Sequence, residues 1–263
     1  MTILSEFSAR RVTRVLLLTF AGLLAAQLII VLFHFMLHRP LGAFSTLFDM
    51  DLEANLPLFF NSLLFFIAAG SFHACGLVAG TSKRWHWSFL ALIFVFLGID
   101  EGSQIHERFL LWSLRIMKVQ DGSEGLLHYA WVVPYGLAVL LLGSVLIGFL
   151  LKLPGRTRNG LMLSAVVFLS GAVLLEMVGG SIAEPLEKLP VSQATMDALP
   201  CLVYPPGQCN LYLSKVYVGS YMVEESCEML GLILCIYILM RVLEDHKLEV
   251  HLKVVKPEVR HGE

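Results

Sequence analysis

The sequence predicts an all-α, polytopic membrane bundle of six transmembrane helices, a single domain over residues 1–263 with both termini cytoplasmic. Three observations predict it. Of 263 residues, 57% are hydrophobic and only 15% charged, with mean hydropathy +0.74; soluble domains carry about a quarter charged residues. Several apolar runs exceed the ~18 residues that mark a transmembrane helix. The basic residues also sort by side. Arg10, Arg11, Arg14, Lys83, Arg84, Lys152, Arg156, Arg158, Arg241, Lys247, Lys253, Lys256 and Arg260 fall on one side. Only Arg39, Arg108, Arg115, Lys118, Lys188 and Lys215, among many acids, fall on the other. The positive-inside rule puts the first group, and both termini, in the cytoplasm. An odd number of spans would break this alternation. No Gly/Ser linker, low-complexity tract or internal repeat is visible, and no room is left for a soluble domain.

The spans are read at about 12–37, 57–80, 85–112, 126–151, 159–183 and 212–241. Span 1 follows Arg10, Arg11 and Arg14 and is expected to be an uncleaved anchor, being too long for a signal-peptide core. The segment 39–56, with Asp49, Asp51 and Glu53, is expected to be a short interfacial helix with a solvated acidic face. Pro57 suits the first turn of span 2. Span 3 carries Asp100, Glu101, Gln104, His106, Glu107 and Arg108. At 100° per residue, Asp100, Ser103, Gln104 and Glu107 share one face of that helix, with His106 on the other. Span 4 opens with His128, Tyr129 and Trp131, an interfacial belt, and Pro134 falls in its first turn or kinks it. Span 5 places Glu176 beside Gly179 and Gly180, which let another backbone come close. Glu184 and Glu187 are assigned to the next loop, 184–211. That loop holds Cys201 and Cys209 around Pro205-Pro206-Gly207, a turn expected to close a disulfide on the non-cytoplasmic side. Span 6 carries Tyr217, Tyr221, Glu224, Glu225 and Glu228, and its tyrosine hydroxyls can donate to these acids.

Ionisable residues inside a membrane helix are costly and mark function by default. Counting ~1.5 Å per residue from the cytoplasmic basic residues puts Asp100, Glu176, Glu224 and Glu228 at one depth, about 20–27 Å in. His106, Glu107 and His128 lie just beyond. Asp100, Glu101, Glu107, Glu176, Glu224, Glu225 and Glu228 are seven of the chain's 21 acids. Arg108, His106 and His128 offer at most three compensating charges. Unpaired carboxylates in low dielectric are prohibitive, so some must carry protons or a cation must be present.

Carboxylate plus imidazole is a ligand set for iron, manganese or zinc. The leading expectation is therefore a membrane metalloenzyme holding a divalent metal, and room for two ions, on Asp100, Glu101, His106, Glu107, Glu176, Glu225 and Glu228. His128, Arg108, Gln104, Tyr221 and Glu224 would support the site or line its entrance. Its partners would be membrane lipids and a lipid-like or small-molecule substrate, with oxidation and hydrolysis both open. The alternative is a proton- or cation-coupled transporter using the same acids as a relay. No phosphate loop, Gly-x-Ser-x-Gly elbow, His-Glu-x-x-His site or ferritin-like pair of Glu-x-x-His motifs occurs, and neither a nucleotide cofactor nor nucleic acid is expected. The expected location is the bacterial inner (cytoplasmic) membrane, with the site open to the periplasm or exterior.

Overall fold

A computed structural model describes residues 8–39, 41–106, 125–190 and 209–246. Every element among them is helical. In chain order they are α1 (Ala9–Phe35), α2 (Ala43–Phe48), α3 (Leu56–Val78), α4 (Thr81–Ser103), a 3₁₀ turn (Gly125–Leu127), α5 (Val132–Leu150) and α6 (Gly155–Leu169). A π turn (Ser170–Leu175), α7 (Glu176–Glu187), α8 (Cys209–Leu213) and α9 (Lys215–Asp245) follow. Among the described residues, five helices are long and apolar enough to cross a membrane: α1, α3, α5, the continuous rod Gly155–Glu187 and α9. The chain is thus a helical bundle of membrane type.

The third expected span, 85–112, requires correction. Helix α4 has 23 residues but stops at Ser103, where Gln104 takes a left-handed conformation with φ 54°. Asp100 explains the stop: its Oδ1 accepts the backbone N–H of His106 at 2.8 Å, replacing a bond that continued helix would have made. His106 therefore folds back onto Asp100, not onto the opposite face. The rest of the expected span, 107–112, lies outside the described residues.

Helix α9 is the hub. Its buried face, including Met229, Leu232, Ile236 and Leu239, packs against α1, α3, α6 and the π turn. Small residues let backbones approach, as is usual where lipid supplies no hydrophobic drive between helices. A Cβ on Gly231 would lie 2.7 Å from the Phe168 backbone nitrogen, and one on Gly171 would lie 2.7 Å from the Glu224 carbonyl oxygen. Hydroxyls tie the same contacts: Ser164 Oγ donates to the Gly231 carbonyl at 3.0 Å, and Ser62 Oγ to the Gly98 carbonyl at 2.7 Å.

The segment after α1 is not a solvated acidic face. Asp49 is fully buried. It accepts from the Tyr221 hydroxyl at 3.0 Å, and Gln27 bridges Tyr221 to the backbone N–H of Met50. The polar pair Gln27 and Tyr221, on α1 and α9, draws this segment into the bundle. Asn55 caps α3 by accepting the N–H of Leu58, with Pro57 in the first turn.

Candidate functional site

Where α4 ends, α9 passes the π turn, and the start of α5 comes alongside, the helices enclose a cavity of about 960 Å³. Helix α4 contributes Asp100 and Glu101. Asp100 is buried; its Oδ2 accepts the Tyr135 hydroxyl at 3.0 Å and lies 3.4 Å from His106 Nδ1. Glu101 accepts from Asn61 Nδ2 at 3.0 Å, and the same amide reaches Glu228 Oε2 at 3.2 Å. Asn61 thereby clamps acids from two helices, and its own oxygen is buried without a partner.

The π turn immediately precedes Glu176. Such turns insert one residue into a helix and rotate the residues beyond it, and they recur at functional sites. Here Glu176 accepts from Trp131 Nε1 at 3.2 Å and lies within hydrogen-bonding reach of Glu224. Gly171 inside the turn, and Gly179 one turn past Glu176, bring α9 close: a Cβ on Gly179 would sit 3.5 Å from Glu224 Oε2. Gly180 has a different role, leaving space for the Tyr129 and His128 side chains. Glu225 and Glu228 complete the α9 wall.

The structure therefore gathers Asp100, Glu101, Gln104, His106, Glu176, Tyr221, Glu224, Glu225 and Glu228 around one cavity. Glu107, Arg108 and Cys201 lie outside the described residues. Cys209 begins α8 and is buried, while Cys75, Cys227 and Cys235 are free thiols. His128 Nε2 pairs with Glu187 Oε2, one of the cavity-lining acids, at 3.1 Å. Glu184 and Glu187 are not loop residues but belong to the last turns of α7. Glu184 accepts from Lys188 at 2.6 Å and from the Gly125 backbone at 2.5 Å.

Sequence reasoning missed Asp51. Tyr217 donates to both its oxygens at 3.2 and 3.3 Å, and Asp51 lines the cavity. Burial pushes this carboxyl up to about 7; Tyr212 and Tyr217 oppose the shift and Asp49 adds to it. On α9, Tyr217 thus donates to Asp51 and Tyr221 to Asp49. Their one-turn spacing along α9 was the only available signal.

The family model described as Domain of unknown function (DUF8692) matches residues 15–243. The chain belongs to that family. No curated protein and no solved structure matches it. The match in this DUF8692 chain spans all the site-forming helices, from within α1 to near the end of α9.

Nine acids line the chamber: Asp51, Glu53, Asp100, Glu101, Glu176, Glu187, Glu224, Glu225 and Glu228. No Lys or Arg stands among the described lining residues; His106 is the one imidazole. In kind, these donors suit a hard divalent cation. In arrangement they do not yet form a centre, since among the described residues no three His, Cys, Asp or Glu are grouped to hold a metal.

Proposed function

We propose that this chain is an integral protein of the bacterial inner membrane whose acidic chamber opens to the periplasm or exterior. It binds a positively charged species there and acts on a lipid-like or membrane-soluble substrate. In this reading α4 is a sixth span, both termini are cytoplasmic, and Cys201 pairs with Cys209. The carrying observation is the pairing of nine acids with a chamber of about 960 Å³ whose walls also include Phe65, Leu97, Val139 and Phe168. A bare proton file needs no such volume, whereas small-molecule sites run to roughly 300–1,000 Å³ and are largely apolar.

As an enzyme, the protein would hold a divalent metal (iron, manganese or zinc) among Asp100, Glu101, His106, Glu107, Glu176, Glu225 and Glu228. When bound, that ion would supply Lewis-acid or redox chemistry. The chain's own contribution is orientation: Asn61 fixes two carboxylates from opposite walls, Trp131 fixes Glu176, and Tyr135 and His106 fix Asp100.

A second reading, a proton- or cation-coupled transporter, is favoured by one observation. Acids of the chamber are held by neutral donors (Asn61, Trp131, Tyr135, Tyr217), and among the described residues they are not gathered on one point. Such donors tolerate a carboxyl in either protonation state.

Melting curves in detergent, with and without chelator, for Glu107→Gln, Glu176→Gln and Glu228→Gln distinguish the two. For a metalloenzyme, chelator destabilises the wild type, elemental analysis finds stoichiometric metal, and each substitution lowers metal affinity about 10-fold or more. Wild type insensitive to chelator, with all three variants melting at or above it, rules out the metal and leaves the relay.

A further inference from the structure

We infer that the chamber is a binding site for an organic cation: an amine or quaternary ammonium head carried on an apolar body. The inference rests on the reading above only in that a membrane-soluble molecule enters the chamber, and it names that molecule's class.

Two aromatic walls face into the acids. In one, the His106 and Trp131 rings lie 4.8 Å apart, and Trp131 and Tyr135 lie 5.4 Å apart at 87°. In the other, Tyr212 and Tyr217 are 6.1 Å apart and Tyr217 and Tyr221 are 5.6 Å apart, both pairs edge to face. The polar edges of these rings are already committed: Trp131 to Glu176, Tyr135 to Asp100, Tyr217 to Asp51 and Tyr221 to Asp49. What the rings have left to offer a ligand is π surface, which attracts diffuse, weakly hydrated cations.

The placement of the acids agrees. A divalent ion draws several oxygens to within about 2.0–2.6 Å of one point. Here no three acids or imidazoles of the described residues are so grouped, yet nine acids surround the space without a Lys or Arg among the described lining residues. Charge spread around a wide cavity complements a large cation better than a small one.

The test is isothermal titration of chelator-treated full-length protein in a non-ionic detergent. The probes are hexyltrimethylammonium, its uncharged carbon isostere 2,2-dimethyloctane, and hexanesulfonate. Expected is saturable binding of the ammonium probe, at least tenfold tighter than the isostere, with no binding of the sulfonate. Trp131→Leu should weaken ammonium binding about 3- to 30-fold, while Trp131→Phe, which keeps a ring but loses the bond to Glu176, should retain most of it. Equal binding of ammonium and isostere overturns the inference, as does ammonium binding unchanged in Trp131→Leu. Should Trp131→Leu not fold, the wild-type comparison of ammonium with isostere decides alone. Binding of manganese or zinc with no binding of any organic probe also overturns it, while leaving the metalloenzyme reading intact. Ammonium binding in protein with no metal affinity supports the inference and removes the metal.

Discussion

Replacing Gly171 by Ala tests how the site is built. The added methyl would meet the Glu224 carbonyl oxygen at 2.7 Å, Glu228 Cγ at 2.9 Å and the Glu228 nitrogen at 3.1 Å. Two of these three neighbours are backbone, so no rotamer change relieves the clash, and α9 must move away from the π turn. Overpacking of this kind costs about 1–3 kcal/mol. The helix preference of Ala over Gly offsets ~1 kcal/mol, which leaves a net cost of about 1–2 kcal/mol for a backbone clash in the upper half of that range. For a chain of this size each net kcal/mol shifts the midpoint by about 2–4 °C, so the variant should melt roughly 2–8 °C below wild type. Gly143→Ala is the matched control, because nothing lies within 4 Å of its added methyl; it should melt at or slightly above wild type. Thermal unfolding of both variants in the same detergent is the assay. A Gly171→Ala protein that melts level with Gly143→Ala would refute the close approach of α9 to the π turn, and with it the placement of Glu224 and Glu228.

Further outcomes rest on the same contacts. Asn61→Leu removes the donor shared by Glu101 and Glu228 and should cost about 1–3 kcal/mol; adding Glu228→Gln should recover part of that, and a thermal double-mutant cycle showing no coupling would count against the clamp. Asp51 titrates near 7 in the fold against 3.8 in the unfolded chain. The folded state therefore holds a proton that the unfolded chain has lost. This contribution to stability is present below pH 3.8, is eroded as pH rises towards 7, and is absent above. Asp51→Asn should gain on wild type across that window, by up to roughly 4 kcal/mol, in melting curves from pH 4 to 8; parallel curves would sink the assignment. If Cys201 and Cys209 are paired outside the membrane, a membrane-impermeant maleimide should label neither in intact cells until a reductant is added. Free labelling of Cys201 before reduction would disprove the disulfide, and labelling only after the membrane is breached would disprove the orientation.

The apolar helices were legible because a bilayer demands long apolar runs: α1, α3, the rod Gly155–Glu187 and α9 lie within about four residues of the expected spans, while α5 begins at Val132 and not at 126. Convergence of Asp100, Glu176, Glu224 and Glu228 on one cavity was legible too, since helical rise converts sequence distance from a basic flank into depth. What escaped depended on contacts distant in sequence or on backbone irregularity. The break at Gln104 depends on one side chain, Asp100, capturing the His106 N–H, which periodicity cannot show. Asp49 and Asp51 read as solvated because their partners Tyr221 and Tyr217 lie over 160 residues away. Glu184-Pro185 read as a helix end, yet α7 continues to Glu187, with Glu184 bonded to Lys188 and Gly125 and Glu187 to His128. The π turn leaves no trace in composition, although it sets the direction of Glu176.

The sign of the chamber's potential can be measured directly. Ser220 lines the cavity and its hydroxyl bonds only its own helix, at the Tyr217 carbonyl, so Ser220→Cys, in a Cys227→Ser background, places a thiol among the acids with little disturbance. In intact cells a membrane-impermeant cationic methanethiosulfonate should modify this thiol faster than its anionic counterpart. After correction for their rates with a free thiol, the ratio should be at least about tenfold, the equivalent of ~1.4 kcal/mol of favourable potential. Equal corrected rates, a preference for the anionic reagent, or no reaction from outside would contradict an outward-opening acidic chamber.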